Sequence, residues 1–413
     1  MRVLLSTYGS RGDTEPLAGL GVALQALGVE AVVSAPPDDE FVDLLARAGV
    51  PLAPAFTSVR TWIKDKAKPS APADFNQLAT EMIAGQYEAV GAAAEGCDAI
   101  LATGLMPSAA AAQCVAEKMG VPYFHASFCP LFLPSHHHRP YRYPGDPLPP
   151  EVNDPRALWD LNASAMNARF SGAVNAHRAA IGLPEIDNVR DHVFTDRPLL
   201  ASDPVLWPWQ PTDLCAAIQT GAWVLRDERP LPADLDAFLE KGSPPVYVGF
   251  GSIALPTTRD AAHTAIQAVR AQGHRAVVAR GWANAALLDD GDDCFLVGEV
   301  NQQALFRRVA AIIHHGGAGT TTTATRSGNP QVIVPQIVDQ PYWATQVAAL
   351  GVGVAHDGAV PTLESLSAAL AKALAPRTRA RASAVALTMN ADGAKTAAKL
   401  LFERIAREPA EAV

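Results

Sequence analysis

The segment from His314 to Thr323 carries the side chains most suited to binding an anion: two histidines, three glycines and four threonines that follow an apolar run. Glycines let a backbone approach a ligand closely, and a helix that begins there offers unpaired N–H groups and partial positive charge. Thr320 adds a hydroxyl, and His315 could donate a hydrogen bond to a phosphate oxygen. The pattern predicts a phosphate site at a strand-to-helix turn; the alternative is a tight turn with two packed histidines.

A dinucleotide site is the second interpretation of this segment. Gly317, Ala318 and Gly319 resemble the start of a G-x-G-x-x-G fingerprint, and Asp339 follows about twenty residues later, where a ribose-binding acid is expected. However, Thr322 occupies the third position, where glycine or alanine is needed for close helix packing. An NAD-dependent oxidoreductase therefore stays the weaker alternative.

A second candidate segment, STYGSRGDTEP, runs from Ser6 to Pro16 at the end of the first apolar run. Ser10, Arg11 and the backbone of Gly12 could reach a diphosphate. Asp13 has two interpretations, a helix N-cap or a general base. Its position alone favours the N-cap.

Three further motifs have weaker chemical meaning. Ser252 ends FGS and could bind a phosphate or cap a helix. The histidines 136–138 resemble a metal tract, but consecutive residues do not easily share one metal, so we expect a surface or acceptor-lining loop. The DDGDD stretch at 289–293 resembles a metal motif but is expected to be a solvated turn. No metal site is predicted.

Short apolar runs alternate with helical patterns in both halves of the chain, which indicates parallel, doubly wound sheets. Helices are predicted over 14–27 and 156–181. Strands are predicted over 2–7, 30–35, 98–103 and 122–127, and again over 244–252, 275–282, 293–300, 309–315 and 330–336. We expect two α/β sheets in series with a cleft between them, and ligands at the carboxyl ends of the strands.

The composition narrows the class of partner. The 413 residues, 49% hydrophobic and 18% charged, suit a two-domain globular protein with a net charge of −9, which disfavours nucleic acid and anionic lipid. Five scattered cysteines favour a reducing cytoplasm. The N-terminus lacks a secretory pattern, and the uncharged stretch 99–116 is interrupted by polar and helix-breaking residues, so no membrane insertion is expected. A monomer is expected.

Across nearly its whole length the sequence resembles the two-Rossmann-domain glycosyltransferases of the GT-B fold, particularly the bacterial enzymes that glycosylate glycopeptide antibiotic cores. The motifs that carry the resemblance are GSRGDTEPL (9–17), QTGAW (219–223), PVYVGFGS (245–252), GEVNQQALF (298–306), HHGGAGTTTTATRSGNPQ (314–331), DQPYWATQVAALGVGVAHDG (339–358) and PTLESLSAAL (361–370). Sterol and macrolide glycosyltransferases share the HHGGAGT and DQP core, so those acceptors remain alternatives.

The resemblance implies a role for each motif. The C-terminal domain would bind a dTDP- or UDP-sugar, and Asp339 and Gln340 would contact the sugar. Asp13 matches the catalytic base, which would remove a proton from an acceptor hydroxyl, so transfer would invert the anomeric configuration without a metal or other cofactor. The expected nucleotide-diphosphate contacts are Ser10, Arg11, Gly12, Ser252, Trp282, Val300, Gln302, His315, Gly316, Gly317, Ala318, Gly319 and Thr320.

The same resemblance suggests domain limits and an acceptor site. We expect an acceptor-binding domain over 1–205, a linker over 206–218, a nucleotide-sugar-binding domain over 219–385 and a C-terminal helical segment over 386–413 that packs on the first domain. Trp62, Phe132 and Tyr141 are candidates to stack on an aromatic aglycone, although each could simply pack within its loop. A non-catalytic nucleotide-sugar binding protein is the alternative from another class.

Overall fold

The computed structural model describes residues 1–66, 72–143, 148–251, 256–281 and 291–407. The chain forms two compact units. The first comprises Met1–Ser202, Trp209–Leu225 and Ala391–Val413, and the second comprises Asp203–Pro208 and Arg226–Asn390. The segment expected to be a linker, 206–218, therefore contributes residues to both units.

The first unit is built on a seven-stranded sheet in the order β3-β2-β1-β4-β5-β6-β7, with parallel pairing throughout. Its elements before residue 220 are β1 (Arg2–Tyr8), α1 (Arg11–Gln25), β2 (Glu30–Ala35), α2 (Asp39–Ala48), β3 (Leu52–Pro54), α3 (Val59–Lys66), α4 (Pro72–Ala93), β4 (Ala99–Gly104), α5 (Met106–Met119), β5 (Tyr123–Ser127), α6 (Pro155–Ala180), α7 (Val189–Phe194), β6 (Leu199–Leu200) and β7 (Ile218–Gln219).

The second unit is built on a six-stranded parallel sheet in the order β10-β9-β8-β11-β12-β13. Its elements are α8 (Ala233–Glu240), β8 (Val246–Gly249), α9 (Pro256–Ala271), β9 (Ala276–Ala279), β10 (Cys294–Val297), α10 (Gln302–Leu305), β11 (Ala311–His314), α11 (Ala318–Ser327), β12 (Gln331–Ile333), α12 (Gln340–Ala349), β13 (Gly353–Ala355), α13 (Leu363–Ala373) and α14 (Pro376–Ala386).

A last helix, α15 (Gly393–Arg407), returns to the first unit and packs on α1. Its buried alanines and Leu401 belong to the same core as Leu17 and Leu24 of α1. The close approach depends on glycine, because a Cβ on Gly393 would lie 2.4 Å from the Ala222 carbonyl oxygen. The strands of the first sheet are continuous apolar runs, and such strands are expected in a parallel sheet that is buried on both faces.

The longer predicted strands are present, each within a few residues of its predicted limits, and the predicted helix over 156–181 is α6. The strands that sequence reasoning missed, β3, β6, β7 and β13, have only two or three residues, too few for a periodic signal. No helix in the described part of the chain combines the length and apolar character that a bilayer span requires.

Candidate functional site

The second sheet changes direction of winding between β8 and β11, and this is where an open α/β sheet binds its ligands. His314, the last residue of β11, pairs with Gly249 of β8 on one side and with Ile333 of β12 on the other. The loops that leave these three strands therefore emerge side by side. The anion-binding motif predicted from sequence lies in the central one.

The turn after β11 requires glycine. Gly316 has φ +93°, and a Cβ there would lie 2.6 Å from Ile333 Cγ2. Gly317 is the N-cap of α11, and no side chain caps this helix end. The first N–H groups of α11, from Ala318 to Thr320, therefore have no partner within the helix and carry its partial positive charge. Gly319 is exposed, and a Cβ there would meet open space.

His315 lies at the side of this turn. Its half-buried ring fits between two glycines: a Cβ on Gly317 would lie 2.6 Å from the ring Nε2, and one on Gly251 would lie 2.7 Å from Cε1. Burial lowers the pKa of His315 to about 4, against an opposing effect of the Gly249 backbone, so the imidazole is neutral at pH 7. The ring Nδ1 is buried and has no hydrogen-bond partner among the described residues. A neutral imidazole can donate one N–H to an anion.

His314 differs from its neighbour in being fully buried. Its Nδ1 accepts a hydrogen bond of 3.1 Å from the Gly316 N–H, and its Nε2 lies 2.9 Å from Gln331 Oε1. The amide proton of Gly316 is thus used inside the turn, and Gly316 contributes its backbone conformation. The alternative proposed from the sequence, a histidine packed inside the turn, therefore applies to His314. His315 differs, because its Nδ1 atom has no hydrogen-bond partner among the described residues.

The loop after β12 lies against the same turn, because a Cβ on Gly316 would also lie 3.2 Å from the Gln340 carbonyl oxygen. Gln340 is buried, and its Oε1 accepts the N–H groups of Gln336 and Ile337 at 2.8 and 3.1 Å. Asp339 precedes α12, and its Oδ2 accepts a 2.8 Å hydrogen bond from Trp343 Nε1. Burial raises the pKa of the Asp339 carboxyl group, and the Trp343 hydrogen bond opposes this rise.

Two more predicted contacts follow β10. Val300 is buried in the core of the second unit, so its side chain is used for packing. Gln302 begins α10 and donates a 3.2 Å hydrogen bond to the Tyr247 hydroxyl. Ser252 and Trp282, also predicted at this site, lie outside the described residues.

The candidate base of the first unit belongs to a capping box that follows the carboxyl end of β1. Ser10, and not Asp13, is the N-cap of α1, and Asp13 stands at the third helical position. Asp13 Oδ2 accepts the Ser10 N–H at 2.7 Å and lies 3.3 Å from Ser10 Oγ. The helix therefore begins at Arg11 and not at Thr14 as predicted. A side chain at position 9 would displace the Asp13 carboxylate, because a Cβ on Gly9 would lie 2.2 Å from Asp13 Oδ2.

The neighbours of Asp13 are engaged within the helix. Arg11 forms a 2.7 Å ion pair with Glu15 one turn later, and the Gly12 N–H donates to Ser10 Oγ at 3.2 Å. A role for these residues toward a diphosphate remains a prediction.

The candidate acceptor aromatics occupy two clusters of the first unit. Trp62 packs edge-on against Tyr8 and Phe56, with ring centroids 6.4 and 5.3 Å apart. Phe132 packs edge-on against Tyr141 at 6.1 Å. Trp62 lies in α3 and not in a loop as predicted. These contacts agree with packing inside the first unit and leave an acceptor role as a prediction.

The two sequences that resembled metal motifs have ordinary partners where the structure describes them. His136 pairs with Asp213 at 2.6 Å, and His137 contacts the Pro211 carbonyl oxygen at 3.0 Å. Asp293 pairs with Arg270, whereas residues 289 and 290 lie outside the described ranges. No group of three histidines, cysteines or acids in the described ranges is arranged to hold a metal ion.

Sequence reasoning missed two residues that support the site. Trp343 lies four residues after Asp339 at the start of a helix, and this spacing places both side chains on one face. Gln331 contacts His314 only because β11 and β12 are neighbours, and no local pattern in the sequence reveals such a pair.

The two sheets and the position of the site at a winding reversal define the GT-B fold. Solved structures agree: a glycosyltransferase of kitacinnamycin has a TM-score of 0.71 at 22% identity, covering 98% of this chain and 99% of that one. The glycosyltransferase VinC, solved in complex with dTDP, has a TM-score of 0.69 at 20% identity, covering 99% and 100%. Residues 277–399 match the family model of the erythromycin biosynthesis protein CIII-like C-terminal domain.

The sequence relatives identify the group within that fold. Glycosyltransferase GtfE of Amycolatopsis orientalis is 55% identical, and the vancomycin aglycone glucosyltransferase of the same organism is 52% identical. Each alignment covers 99% of this chain and 98% of the relative. The dTDP-epi-vancosaminyltransferase of that organism is 50% identical with the same coverage. The chain belongs to the vancomycin-group glycosyltransferases, and the oxidoreductase alternative has no support among these relatives.

Proposed function

We propose that this glycosyltransferase moves a sugar from a dTDP-sugar to a hydroxyl group of a glycopeptide antibiotic aglycone, with inversion at the anomeric carbon. One observation carries the proposal: the uncapped N-terminus of α11 and the neutral His315 lie together at the winding reversal of the second sheet. Helix N–H groups and an imidazole N–H are donors for a diphosphate. The name of the epi-vancosaminyltransferase favours dTDP, and UDP is the other donor to be tested.

The diphosphate is the leaving group of the reaction, so its negative charge grows as the glycosidic bond breaks. Donors fixed by the fold before substrate binds stabilise that charge without reorganising. Gly317 leaves room for the His315 ring, and Gly316 leaves room for Ile333 and Gln340, because a Cβ at either position would collide with these neighbours. We therefore assign His315, Ala318, Gly319 and Thr320 to the diphosphate, with transfer expected to persist after chelation of metal ions.

The sugar of the donor would contact Asp339 and Gln340. Both are held rigidly, Asp339 by the Trp343 indole N–H and Gln340 by two backbone amides of the preceding loop. The proximity of Gln340 to Gly316 supports this assignment, because the sugar is joined directly to the diphosphate. A carboxylate accepts hydrogen bonds from sugar hydroxyls.

Asp13 is the proposed general base. Its carboxylate would take the proton of the acceptor hydroxyl while that oxygen attacks the anomeric carbon from the side opposite the nucleotide, which produces inversion. The Ser10 backbone N–H holds Oδ2 in place at the carboxyl end of β1.

A transfer assay tests the proposal. The protein is incubated with dTDP-glucose or UDP-glucose and with glycopeptide, macrolide or sterol aglycones, and product is read as a mass gain of one hexose. We expect transfer to the glycopeptide aglycone from an α-linked donor, with a β-linked product by proton NMR. Transfer only to a macrolide or sterol would refute the acceptor class. Nucleotide binding without transfer to any acceptor in the panel would favour a non-catalytic binding protein.

A further inference from the structure

His314 is a buried histidine whose two ring nitrogens both have partners. Nδ1 accepts the N–H of Gly316, two residues later, at 3.1 Å. Nε2 lies 2.9 Å from the Oε1 atom of Gln331, the first residue of β12. The ring therefore connects the turn after β11 to the neighbouring strand.

The network continues into α11. Gln331 Nε2 donates to Thr325 Oγ1 at 2.9 Å, and Thr325 Oγ1 donates to the Thr321 carbonyl oxygen at 2.8 Å. Strand β12, the turn after β11 and the helix that presents the anion-binding N–H groups are thus joined by one buried chain of hydrogen bonds. His314 is the only member of this chain, within the described residues, that contacts the Gly316 N–H.

The network admits one protonation state. A backbone N–H can only donate, so Nδ1 of His314 must carry a lone pair, and the proton must be on Nε2, which donates to Gln331 Oε1. The Gln331 amide orientation agrees, because its Nε2 faces a hydroxyl oxygen whose own proton is used on Thr321. Burial lowers the pKa of His314 to about 3, so the neutral form persists at physiological pH.

We infer that His314 is a positioning residue for donor binding: its Nδ1 lone pair holds the Gly316 turn, and the turn aims His315 and the N-terminus of α11 at the diphosphate. The inference rests on the proposed function of that turn. His314 is fully buried, so it acts through its neighbours and not by contact with the nucleotide. The Gly316 N–H needs an acceptor there, because Gly316 is buried and an unpaired buried N–H is costly.

Two substitutions separate the ring nitrogens. In His314→Asn the amide oxygen can occupy the place of Nδ1 and accept the Gly316 N–H, whereas the bond to Gln331 is lost. In His314→Gln the amide nitrogen can occupy the place of Nε2 and donate to Gln331, whereas the Gly316 N–H loses its acceptor. Each variant loses one buried hydrogen bond, so both are expected to lower the melting temperature by similar amounts.

Binding of dTDP, measured by calorimetry, should nevertheless differ between the two variants. We expect the Kd to rise about tenfold or more in His314→Gln and to stay within about threefold of wild type in His314→Asn. In assays with dTDP-glucose and vancomycin aglycone, His314→Gln should raise the donor KM and leave the acceptor KM unchanged. Equal affinities of the two variants for dTDP would overturn the inference.

Two further measurements keep the outcome decisive. In wild-type protein, nitrogen NMR of the His314 ring should show a protonated Nε2 and an unprotonated Nδ1 from pH 7 to about pH 5. A protonated Nδ1 would overturn the inference even if neither variant folds.

The His315→Ala variant separates this inference from the proposed function. If His315→Ala leaves dTDP binding unchanged, the proposed site fails. If His315→Ala weakens binding and His314→Gln does not, only the role of His314 fails.

Discussion

Replacing Gly319 with alanine should make the protein more stable and bind its donor less tightly. Gly319 stands in the first turn of α11 without a positive φ, is exposed, and would place a Cβ in open space. The fold therefore gains nothing from glycine at this position. Because alanine restricts the unfolded chain, the substitution should raise the free energy of unfolding by about 0.5–1 kcal/mol. For a unit of this size, that corresponds to about 1–4 °C in melting temperature.

The loss in binding follows from the same geometry. A methyl group at the helix N-terminus would separate the diphosphate from at least one N–H donor. A hydrogen bond to a charged group contributes about 1.5–3 kcal/mol, so the Kd for dTDP should rise roughly tenfold to a hundredfold. Calorimetric titration with dTDP and thermal unfolding without ligand measure the two effects separately.

Gly91 provides the matched control. It lies within α4 of the first unit, and a Cβ there also meets no other atom within 4 Å. Gly91→Ala should raise the melting temperature of its own unit and leave dTDP affinity unchanged. A Gly319→Ala protein that binds dTDP as well as wild type, or that melts at a lower temperature, would refute this account of the α11 N-terminus.

Three other changes have expected outcomes. Asp13→Asn should lower turnover by about 10²–10⁴ while the Kd for dTDP stays within about twofold; full turnover would remove Asp13 as the base. Trp343→Phe keeps a buried ring but removes the N–H that holds Asp339, so donor kcat/KM should fall about tenfold at an unchanged acceptor KM; unchanged donor kinetics would contradict that role. Burial would raise the pKa of Glu117, but hydrogen bonds from His192 and Arg178 outweigh it and bring the pKa to about 2, below the ordinary value of 4.5. The carboxylate thus contributes stability above pH 4.5 that is lost as the pH falls toward 2; Glu117→Gln should lower stability in urea at pH 7 more than at pH 3, and an equal loss at both values would be inconsistent.

Much of the fold could be predicted because the strands that form it are long apolar runs with a helical pattern between them. The positions of Asp13 and of the glycine-rich turn at the carboxyl ends of β1 and β11 followed from that alternation alone. The exact start of α1 did not follow, because Ser10 and Asp13 cap each other across an Arg-Gly pair that resembles a loop in sequence.

The finer construction of the candidate site could not be predicted, because it depends on contacts between separate strands. Nothing local in the sequence pairs His314 with Gln331, or places the His315 ring against Gly251. Only His315 was predicted to contact the diphosphate, and the role of His314 could not be predicted. The structure buries His314 in a hydrogen-bond network and leaves His315 half-buried, with no partner for its Nδ1 atom among the described residues. Only the register of β8, β11 and β12 separates them.

The central claim is that the turn after β11 binds the diphosphate of the donor. A crystal structure with bound dTDP tests it most directly. We expect the β-phosphate oxygens to lie within hydrogen-bond distance, about 3 Å, of the His315 ring and of the first N–H groups of α11. A nucleotide whose phosphates lie away from this turn would contradict the account.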